Sequence, residues 1–398
     1  MTHMSKPPAG DKQAVTDKPR VRPYVDFYSE GAISPVAQDI TDLKRHFQRR
    51  ESLYRHLGIV PAFLEGRSVI EFGPGSGHNA VFTASLKPAR YMLVDGNPIG
   101  IAECRDLLTA RGVTGRGNVT IEQSLVEEFE TEERFDVVLC EGMLSWQFDP
   151  VHLLRRVARF AKPGGVIAIT CMDTVGFLAE ALRRFAAAAI MNPDATPEQN
   201  LKHLTAVFGP HLGSIGGMSR SHEHWVLDNL LFPYYGRPFP IDAAIQGLDP
   251  EYEVYGSSPQ FLADNRWYKV VHGSERRYNE RALSSYWQNI HNYLDGRVKS
   301  GPRAEAANRA LRAQTDAVFE LQEDFRRTRE PQILKVAVER LRTIEAMVRP
   351  FAAITAESLA DFTTAMEKGF PGATPDFGRF APWFGQGQQY LSFIRAGR

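Results

Sequence analysis

Ser68-Val69-Ile70-Glu71-Phe72-Gly73-Pro74-Gly75-Ser76-Gly77-His78-Asn79 is the most informative stretch of this 398-residue chain. An apolar run reaches an acidic residue, a loop with glycine at every second position follows, and a helix start comes next. Strand, glycine turn and helix in that order build a nucleotide site at the carboxyl edge of a parallel sheet. The glycines let the backbone turn sharply and let a ligand approach it without Cβ interference. Spacing then separates the nucleotide classes. The dinucleotide fingerprint is GxGxxG, with the helix N-terminus facing a pyrophosphate. Here Gly77 falls one residue early, and His78 stands where that fingerprint wants glycine. A ligand with no pyrophosphate but a cationic amine gives Glu71 a role.

Working outward, apolar runs at 91–94, 119–121, 135–140 and 166–171 alternate with helical stretches at 79–86, 98–109 and 151–161. That alternation predicts a doubly wound α/β fold, a parallel sheet with helices on both faces. Asn97-Pro98 reads as an N-cap followed by proline in the first turn. Lys162-Pro163-Gly164-Gly165 ends one helix and turns the chain into the next strand. After Cys171 the alternation stops. Residues 174–250 read as a helical, irregular cap rich in aromatics and histidines. Short runs at 252–255 and 267–271 read as late strands on an antiparallel edge of the same sheet. From about 275 the chain reads as wholly helical.

The expected division is a disordered tail over 1–20, an N-terminal helical segment over 21–65, a sheet domain over 66–273 with its cap at about 174–250, and a C-terminal all-helical domain over 274–398. A helix is expected to start near Ser34-Pro35, with Lys44, Arg45, Arg49 and Arg50 on a solvated face. Between Arg303 and Arg349, Leu311, Val318, Leu321 and Phe325 form one apolar stripe, and Leu334, Val338, Leu341, Ile344 and Val348 form another. These stripes suit an internal core or a homo-oligomer interface.

The glycine loop Glu71-Phe72-Gly73-Pro74-Gly75-Ser76-Gly77 resembles the first motif of class I S-adenosylmethionine-dependent methyltransferases, [E/D]xGxGxG. Later landmarks match in order. Val94-Asp95 closes the second strand 18 residues after Gly77. Residues 121–124 fall at the third strand's end, 135–141 resemble the fourth-strand motif, and 153–165 resemble the helix and turn before the fifth. The resemblance covers about 60–172, with looser agreement to about 272. It implies a Rossmann-like methyltransferase domain with S-adenosylmethionine as cofactor. It implies cofactor contacts from Glu71, Gly73, Gly75 and Gly77, and ribose hydroxyls held by Asp95, since a carboxylate accepts from both hydroxyls of a cis-diol. Gln123 stands where the family often has an adenine-binding Asp, and its carbonyl can do the same job beside Ser124. Cys140 and Glu141 line the pocket near the reacting end. The chain lacks the [D/N]PPY motif of enzymes that methylate adenine, cytosine or glutamine amines.

Methyl transfer needs mainly alignment, and an oxygen or nitrogen acceptor can also need a base with a near-neutral pKa. His222 and His224 in Ser221-His222-Glu223-His224-Trp225 are the candidates, since the cap should cover the pocket. Their HxH spacing is not a zincin HExxH, so no metal site is expected. His78 reads as packing or cofactor contact, and His203 and His211 as less favoured bases. Cap aromatics such as Trp225, Tyr234 and Tyr235 read as core, or as a flat wall for a sugar or planar metabolite. The polar, glycine-bearing segment 384–391 reads as a chain end that docks over a site or a neighbouring subunit.

Composition sets the frame. Lys plus Arg and Asp plus Glu are both 47, so the formal net charge is zero, which argues against a chain that blankets nucleic acid phosphates. No run approaches the roughly 18 apolar residues of a membrane span. Three cysteines, Cys104, Cys140 and Cys171, make no disulfide scaffold. The expectation is a cytoplasmic methyltransferase acting on a small-molecule or glycan-like acceptor, at oxygen. The rivals are a cofactor-binding sensor or scaffold with a helical partner-binding domain, a nicotinamide-dependent oxidoreductase, and an aminopropyl transferase.

Overall fold

The computed structural model describes residues 38–396 apart from 217, 235 and 372–374. The tail expected at 1–20 and the helix start at Ser34-Pro35 lie outside the described residues. Seven strands form one sheet: β1 Ser68–Phe72, β2 Arg90–Asp95, β3 Val119–Gln123, β4 Phe135–Cys140, β5 Ala161–Met172, β6 Tyr252–Ser258 and β7 Gln388–Arg395. Their order is β3-β2-β1-β4-β5-β7-β6. The first five run parallel, and β7 lies antiparallel between β5 and β6. The central strands are buried on both faces, as continuous apolar runs require in a covered parallel sheet. The order reverses between β1 and β4. A doubly wound sheet opens its ligand crevice at such a switch point, beyond the carboxyl ends of the strands.

The first helices are α1 Leu43–His56, α2 His78–Ser85, α3 Pro98–Ala110 and α4 Pro150–Ala158. The Asn97 side chain caps α3 by accepting from the Ile99 and Gly100 N–H groups, and Pro98 sits in its first turn. Between β5 and β6 the cap comprises α5 Leu178–Ile190, α6 Pro197–Gly213, α7 His222–Val226 and α8 Ile241–Leu248. Between β6 and β7 come α9 Tyr278–Asn289, α10 Glu305–Thr328, α11 Pro331–Val348 and α12 Ala353–Glu367.

Two expectations change here. The run at 267–271 is not a strand: Tyr268–Val270 form a 3₁₀ turn, with Trp267 and Tyr268 exposed to solvent. The C-terminal region is helical over α9–α12, but it is not all helical, because β7 closes the sheet. The reason lies in β7, where Leu391, Ser392 and Phe393 are buried and pair on both edges. The glycines of 384–391 admit that threading. A Cβ on Gly385 would lie 2.0 Å from the Gly176 carbonyl oxygen.

The two stripes of the 303–350 hairpin are covered within the chain. Leu311, Val318, Phe325, Leu341, Ile344 and Val348 are buried in the main apolar cluster with Phe185 of α5 and Phe362 of α12. Among the described residues, no helix is long and apolar enough to cross a membrane.

Candidate active site

β1 delivers the chain into the glycine loop at the switch point. Gly73, Gly75 and Gly77 have φ of +72°, +54° and +80°, in the left-handed region that side chains disfavour. At Gly77 the packing is also tight: a Cβ would lie 2.7 Å from Cys104 Sγ on α3. Gly100, in the first turn of α3, approaches Gly75 so closely that an added Cβ would lie 3.3 Å from its carbonyl. Loop and helix are thus pressed together, leaving backbone as the surface offered to a ligand.

Asp95 ends β2 and ties the loop in place. Its Oδ2 accepts from the Gly75 N–H at 3.0 Å and its Oδ1 from the Asn97 N–H at 2.8 Å. Burial holds its pKa above the usual carboxylate range. Each oxygen keeps lone-pair capacity, so the carboxylate can still accept from a diol. Gln123 is in register with Asp95 across β2 and β3, and is exposed. The Ser124 N–H donates to the Asp95 carbonyl at 3.0 Å. The strand ends therefore bring Gly75, Asp95, Gln123 and Ser124 together.

Glu71 is buried below the loop and accepts from the Tyr91 hydroxyl. Burial, reinforced by the nearby Glu141 charge, lifts its pKa to about 7. Glu141 follows β4 and takes both guanidinium nitrogens of Arg50, at 2.7 and 2.6 Å, with Asn79 at 3.5 Å. Arg50 corrects the solvated-face reading of α1: Lys44, Arg45 and Arg49 are exposed, whereas Arg50 is buried and its pKa raised by Glu141. Three carboxylates, Glu71, Asp95 and Glu141, share this end of the sheet with the Arg50 guanidinium. That field favours a ligand carrying positive charge. Diol acceptor, glycine-loop backbone and negative field fit a nucleoside with a sulfonium or ammonium group. Cys140 is fully buried in register with Phe72 and Ile169, and burial pushes its thiol well up. A thiol so placed is a poor nucleophile.

A cavity of about 420 Å³ opens beside Gly142, between the ends of β4 and β5 and the cap. Trp146, Phe177, Trp225, Phe232 and Tyr234 give it aromatic walls, and Gly387 and Gln388 reach it from the start of β7. Trp146 stacks on Tyr234 with centroids 3.6 Å apart, and the Arg184 guanidinium lies 3.7 Å over the same Tyr234 ring. Tyr234 is therefore packed within the wall. Two carboxyl groups also line the cavity: Asp228, paired with Arg220 at 2.7 Å, and Glu180. Glu180 is 9% exposed, and burial lifts its pKa to about 7.

His222 and His224 stand in the first turn of α7, exposed and outside the cavity lining. The Ser221 hydroxyl caps that turn by accepting from the His224 N–H. His78 packs the loop: its Nδ1 lies 2.6 Å from Ser76 Oγ, and its carbonyl meets His46 Nε2 at 3.1 Å. His211 is buried among Phe208, Phe377 and Phe380, which drives its pKa down to about 3. Tyr235 lies outside the described residues. Among the described residues, no group of three or more His, Cys, Asp or Glu is placed to hold a metal ion. Sequence reasoning missed Glu180 and Arg50. The available signal for Glu180 was a lone acid in the helix sequence LAEALRRFAAAAI, whose other residues, save two arginines, are apolar.

A family model described as a methyltransferase domain matches residues 64–214. Among curated proteins, a probable protein arginine N-methyltransferase 6 of Arabidopsis thaliana is 26% identical over 144 residues, 35% of this chain and 32% of that protein. The chain thus spans about a third of the length of the curated relative it matches. Solved structures with a similar arrangement include PKMT2 from Rickettsia typhi in complex with AdoHcy, 16% identical, covering 59% of this chain and 49% of that one with a TM-score of 0.41. The N-terminal domain of EvdMO1 with SAH bound is 22% identical, covering 32% and 49%, with a TM-score of 0.27. The matched segment contains the glycine loop, Asp95 and all five parallel strands. Residues 64–214 thus match a methyltransferase-domain family, in keeping with the resemblance of the glycine loop, and S-adenosylmethionine is the cofactor that match supports.

Proposed function

We propose that the chain transfers the methyl group of S-adenosylmethionine to a hydroxyl oxygen of a small-molecule or glycan-like acceptor. The observation that carries this reading is the aromatic-walled cavity that opens at Gly142, the residue that follows Glu141. When bound, the cofactor supplies an electrophilic methyl on a positively charged sulfur. The chain's own residues supply position and field. Asp95 would hold the ribose hydroxyls, with Gln123 and Ser124 toward the base. Glu71 and Glu141 make the site negative for the cationic end. The Arg50 clamp fixes Glu141, and hence the turn that leads to Gly142. The aromatic walls and the cap exclude water from the acceptor, so that alignment, the main requirement of an in-line displacement, is met by packing. Net neutrality supports a small acceptor over a nucleic acid. Three buried, unpaired cysteines suit a reducing compartment such as the cytoplasm.

Calorimetric titration with S-adenosylhomocysteine, with NAD as control, tests the reading. The expected result is binding of the first ligand only, weakened about 10- to 100-fold in Asp95→Ala, the scale of a lost charge-assisted hydrogen bond. Binding of NAD, or an unchanged affinity in the variant, overturns it.

A further inference from the structure

The cavity holds one polar group that nothing in the fold accounts for, and the inference drawn from it rests on the methyl-transfer reading above. Glu180 is nine-tenths buried on α5 and lines the cavity, and its Oε2 has no hydrogen-bond partner among the described residues. Its own backbone N–H is the group that donates to the carboxylate. A buried acceptor in that state is satisfied when a ligand brings a donor.

The surrounding charges indicate which kind of donor. Arg183 faces it from the same helix, held by the carbonyls of Ala381 and Trp383 and lying over Phe384. His211 lies near Arg183, with its pKa far below neutrality, so it adds no charge. Arg184 pairs with Glu323 of α10 at 3.0 Å, and Arg220 pairs with Asp228. Arg326 also meets Glu323, at 3.5 Å, so four guanidinium groups stand against the three carboxylates Glu180, Asp228 and Glu323. No surplus of negative charge draws in an ammonium, and a neutral hydroxyl is the donor that fits.

We propose that Glu180 accepts the hydrogen bond of the acceptor's hydroxyl and takes its proton as the methyl moves onto that oxygen. The acceptor oxygen forms the new bond to carbon with its lone pair, while the carbon–sulfur bond breaks and its pair stays on sulfur. The hydroxyl proton passes to the Glu180 carboxylate, and from there to water at the cavity mouth. A pKa lifted by burial to about 7 suits a base working near neutrality.

The test uses the full chain with S-adenosylmethionine and a panel of ring-bearing alcohols and phenols, with matching anilines, guanidines and thiols. Product is read as S-adenosylhomocysteine. The native chain should methylate hydroxyl members, with kcat rising through about pH 7. Glu180→Gln should lower kcat about 100-fold or more, the scale of a lost general base. It should bind S-adenosylhomocysteine as the native chain does, and its pH limb should vanish. Added formate should restore Glu180→Ala in part, which a merely structural role would not allow. A Glu180→Gln kcat within about threefold of native overturns the proposal, since base catalysis contributes far more. So does methylation confined to the amines, guanidines or thiols, or no hydroxyl turnover by a chain that binds S-adenosylhomocysteine. A native chain that fails to bind S-adenosylhomocysteine instead overturns the underlying methyl-transfer reading.

Discussion

Glu71 combines a buried position with a charge it is reluctant to carry. Its pKa rises from 4.5 to about 7, first through burial and then through Glu141. The folded chain therefore holds a proton that the unfolded chain has released between those values. Stability conferred by that proton is present in acid and is lost as pH rises through about 7. The contribution is up to about 3 kcal/mol, at 1.36 kcal/mol per pKa unit. Glu180 adds a slope of the same sign. Chemical denaturation between about pH 5 and 8 should show stability falling, and Glu71→Gln should remove Glu71's share while leaving that of Glu180. A cationic ligand works in the opposite sense, because it prefers the ionised carboxylate. Affinity for S-adenosylmethionine should then rise with pH through the same range, and the rise should flatten in Glu71→Gln. At this scale much of the candidate site's placement was legible. Glycines and an acid at a strand end declare themselves within twelve residues, and so does Asp95 beside its Asn97-Pro98 cap. Arg50 did not, since its burial depends on Glu141, 91 residues away. Glu180 was hidden for the same reason, because its surroundings come from the folded cap.

Among elements, α1 is fastened to the end of β4 by the Arg50–Glu141 pair, with side chains only 7% and 10% exposed. Removing one partner leaves the other charge buried and uncompensated. Glu141→Gln should therefore destabilise the fold by about 3–5 kcal/mol, the usual cost of breaking a buried pair from one side. It should also weaken cofactor binding, because the turn leading to Gly142 loses its anchor. Thermal melting with and without S-adenosylhomocysteine separates the two effects. An unchanged melting temperature would mean that the pair contributes nothing net. Strands β1 and β4 were readable because each is a short apolar run bounded by turn residues. The run at 267–271 has the same local character yet forms a turn. A strand exists only where a partner does, and Trp267 and Tyr268 meet solvent instead.

At the scale of the whole molecule, a buried polar network joins the sheet to both insertions. Asp173, just beyond β5, accepts from the Tyr286 hydroxyl of α9 and pairs with Arg312 of α10 at 3.1 Å. Arg312 also reaches Asp242 of α8 at 3.2 Å. Together with β7, this makes the region after 273 part of the same cooperative core. A chain stopped at residue 273 should not fold. It should aggregate in light scattering and bind no S-adenosylhomocysteine. A soluble monomer that melts cooperatively would refute that. The strand order could not be read from sequence, since β7 pairs with a strand that ends 216 positions earlier, Met172 against Gln388.

That separation has a consequence for how the protein is made. At about 5–20 residues per second, a ribosome needs roughly 10–40 seconds to synthesise the stretch between β5 and β7. Throughout that interval β5 has an open edge, and β6 emerges with no neighbour to pair with. Unpaired edges of this kind recruit other chains. The nascent protein is thus most vulnerable late in translation, with the glycine loop and its five parallel strands already exposed. A holdase at the tunnel exit, or a slow stretch of codons before residue 388, would decide how much of the yield survives.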